Sequence, residues 1–166
     1  LPASFTELVE TDITADGHTF WAGWKRLTGA DGGSYTFGDV GSGAVDWVCQ
    51  AVALSGRHAS NPPVASTVNV QNTPQSSPIT VSANGVTALD GDDLVWISAP
   101  DVTSVDIGNG HTPPTDYTER EDAELAWANL SIATRENVSA GATGTVSGTF
   151  TLSANTAGWA ALLIRI

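Results

Sequence analysis

The stretch Gly144-Thr-Val-Ser-Gly-Thr-Phe-Thr-Leu-Ser153 decides the fold, because its apolar and polar residues alternate with a period of two. Val146, Phe150 and Leu152 fall on one side of an extended chain, and the hydroxyl residues fall on the other. This alternation is typical of an antiparallel strand that packs one face on a core and turns the other to solvent. The stretch therefore predicts a sheet with a hydroxyl-rich outer face.

Further strands are predicted around it from runs rich in Val, Thr, Ile and aromatic residues. They cover residues 5–9, 19–27, 34–37, 45–54, 79–83, 94–99, 123–134 and 159–166. The run 45–54 is apolar on both faces, which predicts a strand in a sandwich interior or an interface, with Cys49 as a small buried residue. Residues 55–78 are predicted to form a surface connection with an edge strand at 64–70. A short helix over 119–129 is the alternative to a strand there.

Turn signals separate these runs at short intervals, for example Asp16-Gly17, Asn84-Gly85 and Asp90-Gly91. Asn-Gly and Asp-Gly tolerate the positive φ of tight hairpin turns. Many short strands with regular turns predict an all-β fold, an antiparallel β-sandwich or jelly roll of about 8–11 strands. We expect one domain over residues 1–166.

Charge and composition exclude several classes of function. The 166 residues hold 18 Asp and Glu against 6 Lys and Arg, for a net charge of −12. Nucleic acids and anionic membranes bind clustered Lys and Arg, so neither is an expected partner. No apolar run reaches the length of a membrane span, and a single cysteine cannot close an intrachain disulfide. Most of the acidic residues, Asp92, Asp93 and Asp101 among them, are expected in loops and turns.

The start of the chain is another observation. It begins at Leu1 with neither an initiator Met nor a signal-peptide pattern. We expect it to be a processed or excised piece.

An internal repeat is suggested by short matches between the two ends of the chain. The segment 2–7 matches 114–119, Trp24 matches Trp127, 34–37 matches 147–150, and Trp47 matches Trp159. These matches predict similar halves, 1–54 and 113–166, joined by a bridge, 55–112. Coincidence in a chain rich in Thr and Gly is the alternative.

The order of these motifs resembles the β-sandwich proteins of tailed bacteriophages and phage-like particles. The closing stretch Gly144–Phe150 followed by Gly158–Ile164 carries most of this resemblance. The resemblance implies a non-enzymatic virion decoration, head-spike or tail-fibre module that packs against capsid or tail proteins at the virion surface. It also implies a homo-oligomer, with a trimer as one form, and strands apolar on both faces point the same way. No site residue is implied.

Tryptophans are the candidate residues for binding a host surface glycan, because an indole ring can stack on a sugar. Trp21, Trp24 and Trp96 are the best candidates, since Trp21 and Trp24 follow a loop rich in Asp, Gly and His. Packing in the core or at an interface is the alternative for each. A carbohydrate-binding module of a secreted or cell-surface protein is accordingly the second function that we consider, with an extracellular location.

Metal and catalytic motifs are weak. Asp12 and Asp16, followed by Gly17, have the opening rhythm of a calcium loop, but the closing Glu of an EF-hand would fall at Gly23. A structural Ca²⁺ at Asp12 and Asp16, or at the corner 90–93, is weighed against a solvated turn, and no cofactor is otherwise expected. The three histidines are expected in loops, without metal-ligand spacing. The carboxylates of 119–124 could serve a hydrolase, but a solvated acidic loop is the preferred interpretation.

Overall fold

A computed structural model of the chain describes residues 4–14, 17–28, 30–31, 34–35, 48–55, 61–102, 110–125, 128–152 and 156–166. Within these ranges every regular secondary-structure element is a β-strand, and the paired strands are antiparallel. The prediction of an all-β, sandwich-like fold is confirmed. None of the described residues lies in a helix with the length and apolarity needed to cross a membrane.

The described residues form thirteen strands, of which eight have five residues or more. In chain order they are β1 (Thr6–Ile13), β2 (His18–Trp24), β3 (Val64–Ala65), β4 (Asn69–Gln71), β5 (Ile79–Ala83), β6 (Thr87–Ala88), β7 (Asp92–Val102), β8 (His111–Thr112), β9 (Thr118–Leu125), β10 (Ala128–Val138), β11 (Gly141–Ala142), β12 (Val146–Phe150) and β13 (Thr156–Arg165).

A central sheet has the strand order β3-β13-β7-β10-β9, and β4 also pairs with β13. Its long strands β7, β10 and β13 are neighbours, and their registers align Trp96 with both Ala133 and Leu163. The short strands β3 and β4 lie at one edge, which confirms the edge strand predicted within 64–70. Strand β9 forms the opposite edge.

Two further layers cover the two faces of the central sheet. On one face the sheet β5-β12-β8 packs against it and encloses a core that includes Trp96, Phe150 and Leu163. On the other face the hairpin β1–β2 contributes Ile13, Phe20 and Ala22 to a second core. Because successive side chains of a strand point to opposite faces, a strand between two layers must be apolar on both. This explains why Trp159–Ile164 is buried throughout.

The structure of β12 confirms the half-buried strand that was predicted from the alternation of apolar and polar residues. Val146, Gly148 and Phe150 are buried, whereas Ser147 and Thr149 between them are exposed. The glycine at 148 is required by packing, because a Cβ there would lie 2.8 Å from Cη2 of Trp96. A side chain at position 148 would therefore push apart the two sheets that enclose the first core.

Several local predictions are wrong. In the described part of the run 45–54, residues 48–54 form no strand, and Cys49 is exposed. By contrast, the strand preferred over the helical alternative is confirmed in the described part of 119–129, where the residues up to Leu125 lie in β9 and those from Ala128 lie in β10. Asp92, Asp93 and Asp101 lie in β7 and are buried, not in solvated loops. Their carboxylates meet partners elsewhere in the chain, as Asp93 does when its Oδ1 accepts the backbone N–H of Asn137 at 2.9 Å.

The jelly-roll topology, the internal repeat and the single-domain assignment stay predictions. The first match of the repeat falls at corresponding strand starts, Thr6 of β1 and Thr118 of β9. Two of the other matches depend on Trp47 and Trp127, which lie outside the described residues.

Tyr117 gives a prediction about pH. Its hydroxyl is buried without a hydrogen-bond partner, and burial raises its pKa to about 12, although the charge of Arg135 acts in the opposite direction. The folded state thus favours the neutral phenol, so the contribution of Tyr117 to stability is complete below pH 10 and is lost as the pH rises toward 12.

The test is Tyr117→Phe, which removes an unsatisfied hydroxyl and should change stability by no more than about 1 kcal/mol near neutral pH. We expect the variant to lose less stability than the parent between about pH 9 and about pH 12 in urea unfolding. Because the chain has two tyrosines, the ultraviolet absorbance of tyrosinate in Tyr35→Phe reports Tyr117 alone. Titration of Tyr117 with an ordinary pKa would contradict the prediction.

Candidate functional site

The outer face of the hairpin β1–β2 combines an aromatic ring with carboxylates. The register pairs Glu7 with Gly23, Glu10 with Trp21, and Asp12 with Thr19 across the two strands. These residues alternate with the inward side chains of Phe20 and Ala22, so they lie on the face turned away from the central sheet. Glu7, Glu10, Asp12 and Thr19 are exposed, and Trp21 is half-buried.

The indole of Trp21 lies along its own strand, over Gly23. A Cβ built on Gly23 would be 2.6 Å from Cη2 and 2.7 Å from Cζ2 of Trp21. The ring can occupy this position only because residue 23 has no side chain. Its Nε1–H donates a hydrogen bond to Oε2 of Glu7 at 3.3 Å. The glycine and the hydrogen bond together position the ring on the outer face of the hairpin.

Trp24 lies on the opposite face of the hairpin from Trp21. Three positions separate the two tryptophans along the chain, and alternation along β2 sends their side chains to opposite sides. The guanidinium carbon of Arg26 is 5.9 Å from the centroid of the Trp24 ring, so a cation–π contact covers one of its faces. The structure therefore does not bring Trp21 and Trp24 together into one binding surface.

Trp96 was predicted to be a glycan-binding candidate, and the structure contradicts this. The side chain is completely buried between two sheets, with 0% exposure. Its ring stacks on His111 at 5.6 Å and on Phe150 at 6.5 Å between centroids. Trp96 is a core residue because it lies in the central strand β7, both faces of which are covered by other layers.

Of the two predicted calcium residues, Asp12 and Asp16, the described structure contains only the first. Asp12 is exposed, and its Oδ1 accepts a hydrogen bond from the Thr19 hydroxyl at 2.9 Å. Asp16 lies outside the described residues, so the predicted pair stays a prediction. At the corner 90–93, Oδ2 of Asp92 accepts the backbone N–H of Leu89 at 2.6 Å and contacts Arg165 at 3.1 Å. That carboxylate therefore already has partners within the chain.

A second group of polar residues lies at the end of the first core, where β8 faces β9 and β10. The side chain of His111 is 4% exposed. Its Nδ1 is 3.1 Å from Oε2 of Glu119, 3.3 Å from Oδ1 of Asp122 and 3.1 Å from Oγ of Ser131. We call His111, Glu119, Asp122 and Ser131 the His111 cluster. It joins the outer sheet to the edge of the central sheet.

A β-bulge in β9 places both carboxylates of the His111 cluster on one face. Positions 119 and 122 would point to opposite sides of a regular strand. The register pairs Ile132 with Glu121 and Ala133 with Glu119, which leaves Arg120 as the extra residue. A bulge of this kind re-aims the side chains on one side of it. Glu119 therefore joins Asp122 and Ser131 on the face toward His111.

The His111 cluster contains the residue types of a nucleophilic triad, but its geometry does not fit one. Such a triad needs the serine on one ring nitrogen and the carboxylate on the other. Here both carboxylates approach Nδ1, and Ser131 Oγ is 3.1 Å from Nδ1 and 3.4 Å from Nε2. Ser131 is only 1% exposed, so a substrate could not reach its hydroxyl.

The electrostatics of the cluster favour an ionised Asp122. Burial alone would raise the pKa of this carboxyl. Hydrogen bonds from His111 and Ser131 outweigh that effect, and the pKa of Asp122 lies below its usual value. The cluster therefore holds a negative charge against a buried imidazole.

The sequence did not single out His111, which was expected in a loop. Its nearest ligand-like neighbours are eight and eleven residues away, and the bulge that aligns them leaves no recognisable pattern. The oxygens of Glu119 and Asp122 and the ring nitrogen of His111 all lie within 4.8 Å of one another.

No known protein family, curated protein or solved structure matches this chain.

Proposed function

We propose that this chain is a non-enzymatic, surface-displayed β-sandwich that binds glycans through the outer face of its β1–β2 hairpin. In this proposal it is a decoration, head-spike or tail-fibre module of a phage or phage-like particle, and the glycan belongs to the host surface. The observation that carries the adhesive function is the position of the Trp21 ring, which lies over Gly23 beside the exposed carboxylates of Glu7 and Glu10.

An indole held in place on an outer face suits the apolar face of a sugar ring. Trp offers a large apolar area that loses little conformational freedom when it binds. Nearby polar groups then fix the orientation of the ligand, as in most small-molecule sites. When ionised, the carboxylates of Glu7, Glu10 and Asp12 accept hydrogen bonds and do not donate them. They would accept hydrogen bonds from sugar hydroxyl or ammonium groups.

The charge of this face narrows the class of sugar. Three carboxylates surround Trp21, and the whole chain carries a net charge of −12. An acidic sugar, such as a uronic acid, would bring a like charge to the face and would be repelled. The proposed ligands are therefore neutral sugars or amino sugars.

The placement on a virion is supported by the resemblance of the closing strands to phage β-sandwich proteins. The apolar faces of β7 and β13 are covered within the chain itself, so these strands do not need a partner. Contacts with capsid, tail or sibling subunits would instead use surface residues. Leu27, Val64 and Leu89 are apolar side chains with 58%, 40% and 46% exposure.

The test of the adhesive function is a glycan array with the parent chain and two tryptophan variants. Trp21→Ala should abolish binding to neutral or amino sugars, because the stacking surface is lost. Trp24→Ala is the matched control, since its side chain lies on the other face of the hairpin, and it should retain binding. Equal loss in both variants, or selective binding of acidic glycans by the parent, would contradict the proposed site.

A carbohydrate-binding module of a secreted or cell-surface protein is the second candidate, and the same Trp21 face favours it. Co-sedimentation with the particle, together with mass measurement in solution, separates the two. A homo-oligomer that sediments with the particle supports the virion function. A monomer that binds glycans but no virion component supports the second candidate.

A further inference from the structure

The His111 cluster presents more acceptors than the histidine can satisfy. A neutral imidazole nitrogen carries at most one hydrogen. Yet Nδ1 of His111 faces oxygens of Glu119, Asp122 and Ser131 at 3.1–3.3 Å. Oδ1 of Asp122 is buried, and no well-aligned hydrogen bond reaches it. The Ser131 hydroxyl can donate its own hydrogen, but one proton on Nδ1 cannot serve both carboxylates.

The separations within the cluster are those of ligands around one metal ion. Bonds from zinc to nitrogen or oxygen ligands are about 2.0–2.2 Å long. Adjacent corners of a tetrahedron or octahedron of that size are about 2.8–3.6 Å apart. The distances of 3.1 Å from Nδ1 to Glu119 and 3.3 Å from Nδ1 to Asp122 fall in this range.

Buried polar atoms around the cluster give a second, independent indication. The register aligns Ser98, Ser131 and Asp122 across β7, β10 and β9, on the face toward His111. Ser98 is 0% exposed and its Oγ has no hydrogen-bond partner. Asn129, two residues before Ser131 and on the same face, is 2% exposed, and its Oδ1 is also unpaired. Unpaired buried groups are rare, and a ligand with its bound water would satisfy them.

We propose that His111, Glu119 and Asp122 bind a divalent transition-metal ion of the Zn²⁺ class. The donor set decides the class, since imidazole suits zinc and its neighbours, whereas calcium and magnesium prefer sites made of oxygen alone. Three protein ligands leave one position for water, and Ser98 and Asn129 supply unpaired buried polar atoms on the same face. The side chains of Glu119 and Asp122, 44% and 28% exposed, give the ion a path from solvent.

The ion would cross-link two layers of the sandwich. His111 belongs to β8 in the outer sheet, and Glu119 and Asp122 belong to β9 at the edge of the central sheet. A metal bound at this point would connect the two sheets through β8, a strand of only two residues. This inference is independent of glycan binding, because the hairpin β1–β2 covers the other face of the central sheet.

The test is titration of the chelator-treated full chain with Zn²⁺, and with Co²⁺ as a spectroscopic probe. We expect one ion per chain, and a rise in thermal midpoint of about 5–10 °C at a roughly hundredfold excess over Kd. Ca²⁺ and Mg²⁺ at the same concentrations should produce little change. The imidazole resonances of His111 should shift on binding, which identifies the ligand in the parent chain without any substitution.

The isosteric double variant Glu119→Gln, Asp122→Asn should lose this binding. Glu121→Gln is the matched control, because it lies on the same strand and points to the opposite face. His18→Gln controls for zinc bound at another histidine. Failure of the parent chain to bind Zn²⁺ or Co²⁺ would overturn the proposal. So would binding that leaves His111 unshifted, or that survives in the double variant.

Discussion

Replacement of Trp96 by alanine is expected to lower the free energy of unfolding by about 3–5 kcal/mol, the usual cost of removing a large aromatic from a core. Trp96 is completely buried, so no solvent can fill the space that its indole leaves. It also packs on Gly148 and stacks on His111 and Phe150, contacts that alanine cannot make. The expected loss is a large part of the stability of a typical domain.

Urea unfolding of Trp96→Ala measures this cost, with an unchanged m-value as the sign that the native fold is kept. Trp96→Phe should recover most of the loss, because it retains a ring and removes an indole N–H that has no partner. Leu89→Ala, at a residue 46% exposed, is the surface control and should change stability by less than about 0.5 kcal/mol. A loss of that small size in Trp96→Ala would contradict the packing described for the first core.

The contrast between Trp96 and β12 shows what the sequence could predict. In β12 each residue is either buried or exposed according to its position, so alternation alone indicates the face. Trp96 lies in β7, where both neighbouring layers bury side chains, and the sequence on either side of it carries no alternation. A tryptophan in such a strand cannot be told from a surface aromatic until the covering layer is known.

The run 45–54 shows the opposite error. Its apolar composition satisfies the local signal for a strand, but residues 48–54 have no strand partner among the described residues. Strand structure depends on hydrogen bonds to another segment, and composition does not supply that segment. Two-sided apolar strands do exist in this chain, but they are β7 and β13.

The His111 cluster could not be predicted because it depends on an irregularity. Alternation along β9 separates Glu119 from Asp122, and only the extra residue Arg120 returns them to one face. The position of a bulge follows from pairing with β10, which is a tertiary property. Trp21 was a candidate from sequence because it follows a loop rich in Asp, Gly and His, and its role in glycan binding stays a proposal.

The hairpin β1–β2, which carries Trp21, is held to the central sheet partly by a contact between a histidine and a buried aspartate. His18 is the first residue of β2 and points inward, and Asp101 of β7 lies on the sheet face that the hairpin covers. Their Nδ1 and Oδ2 atoms are 2.8 Å apart. The side chain of Asp101 is 2% exposed and that of His18 is 30% exposed.

His18→Ala is expected to lower the free energy of unfolding by about 3 kcal/mol, because it removes the imidazole that lies 2.8 Å from a buried carboxylate. This expected loss of about 3 kcal/mol is at the lower end of the range for breaking a buried ion pair, because water can reach Asp101 from the exposed side of His18. Urea unfolding gives the loss, and hydrogen exchange should become faster in β1 and β2 before it does in β10. Thr19→Ala, on the exposed face of the same strand, is the control.

A double-mutant cycle with Asp101→Asn separates this pair from the rest of the hairpin contact. A neutral amide at position 101 needs no charged neighbour, so His18→Ala should cost markedly less in the Asp101→Asn background than in the parent chain. If both backgrounds lose the same amount, the cost comes from packing of the imidazole, and the pair does not hold the hairpin. If the costs differ as expected, the charge on Asp101 fixes the layer that presents Trp21, and loss of His18 should also weaken glycan binding while Trp21 remains in place.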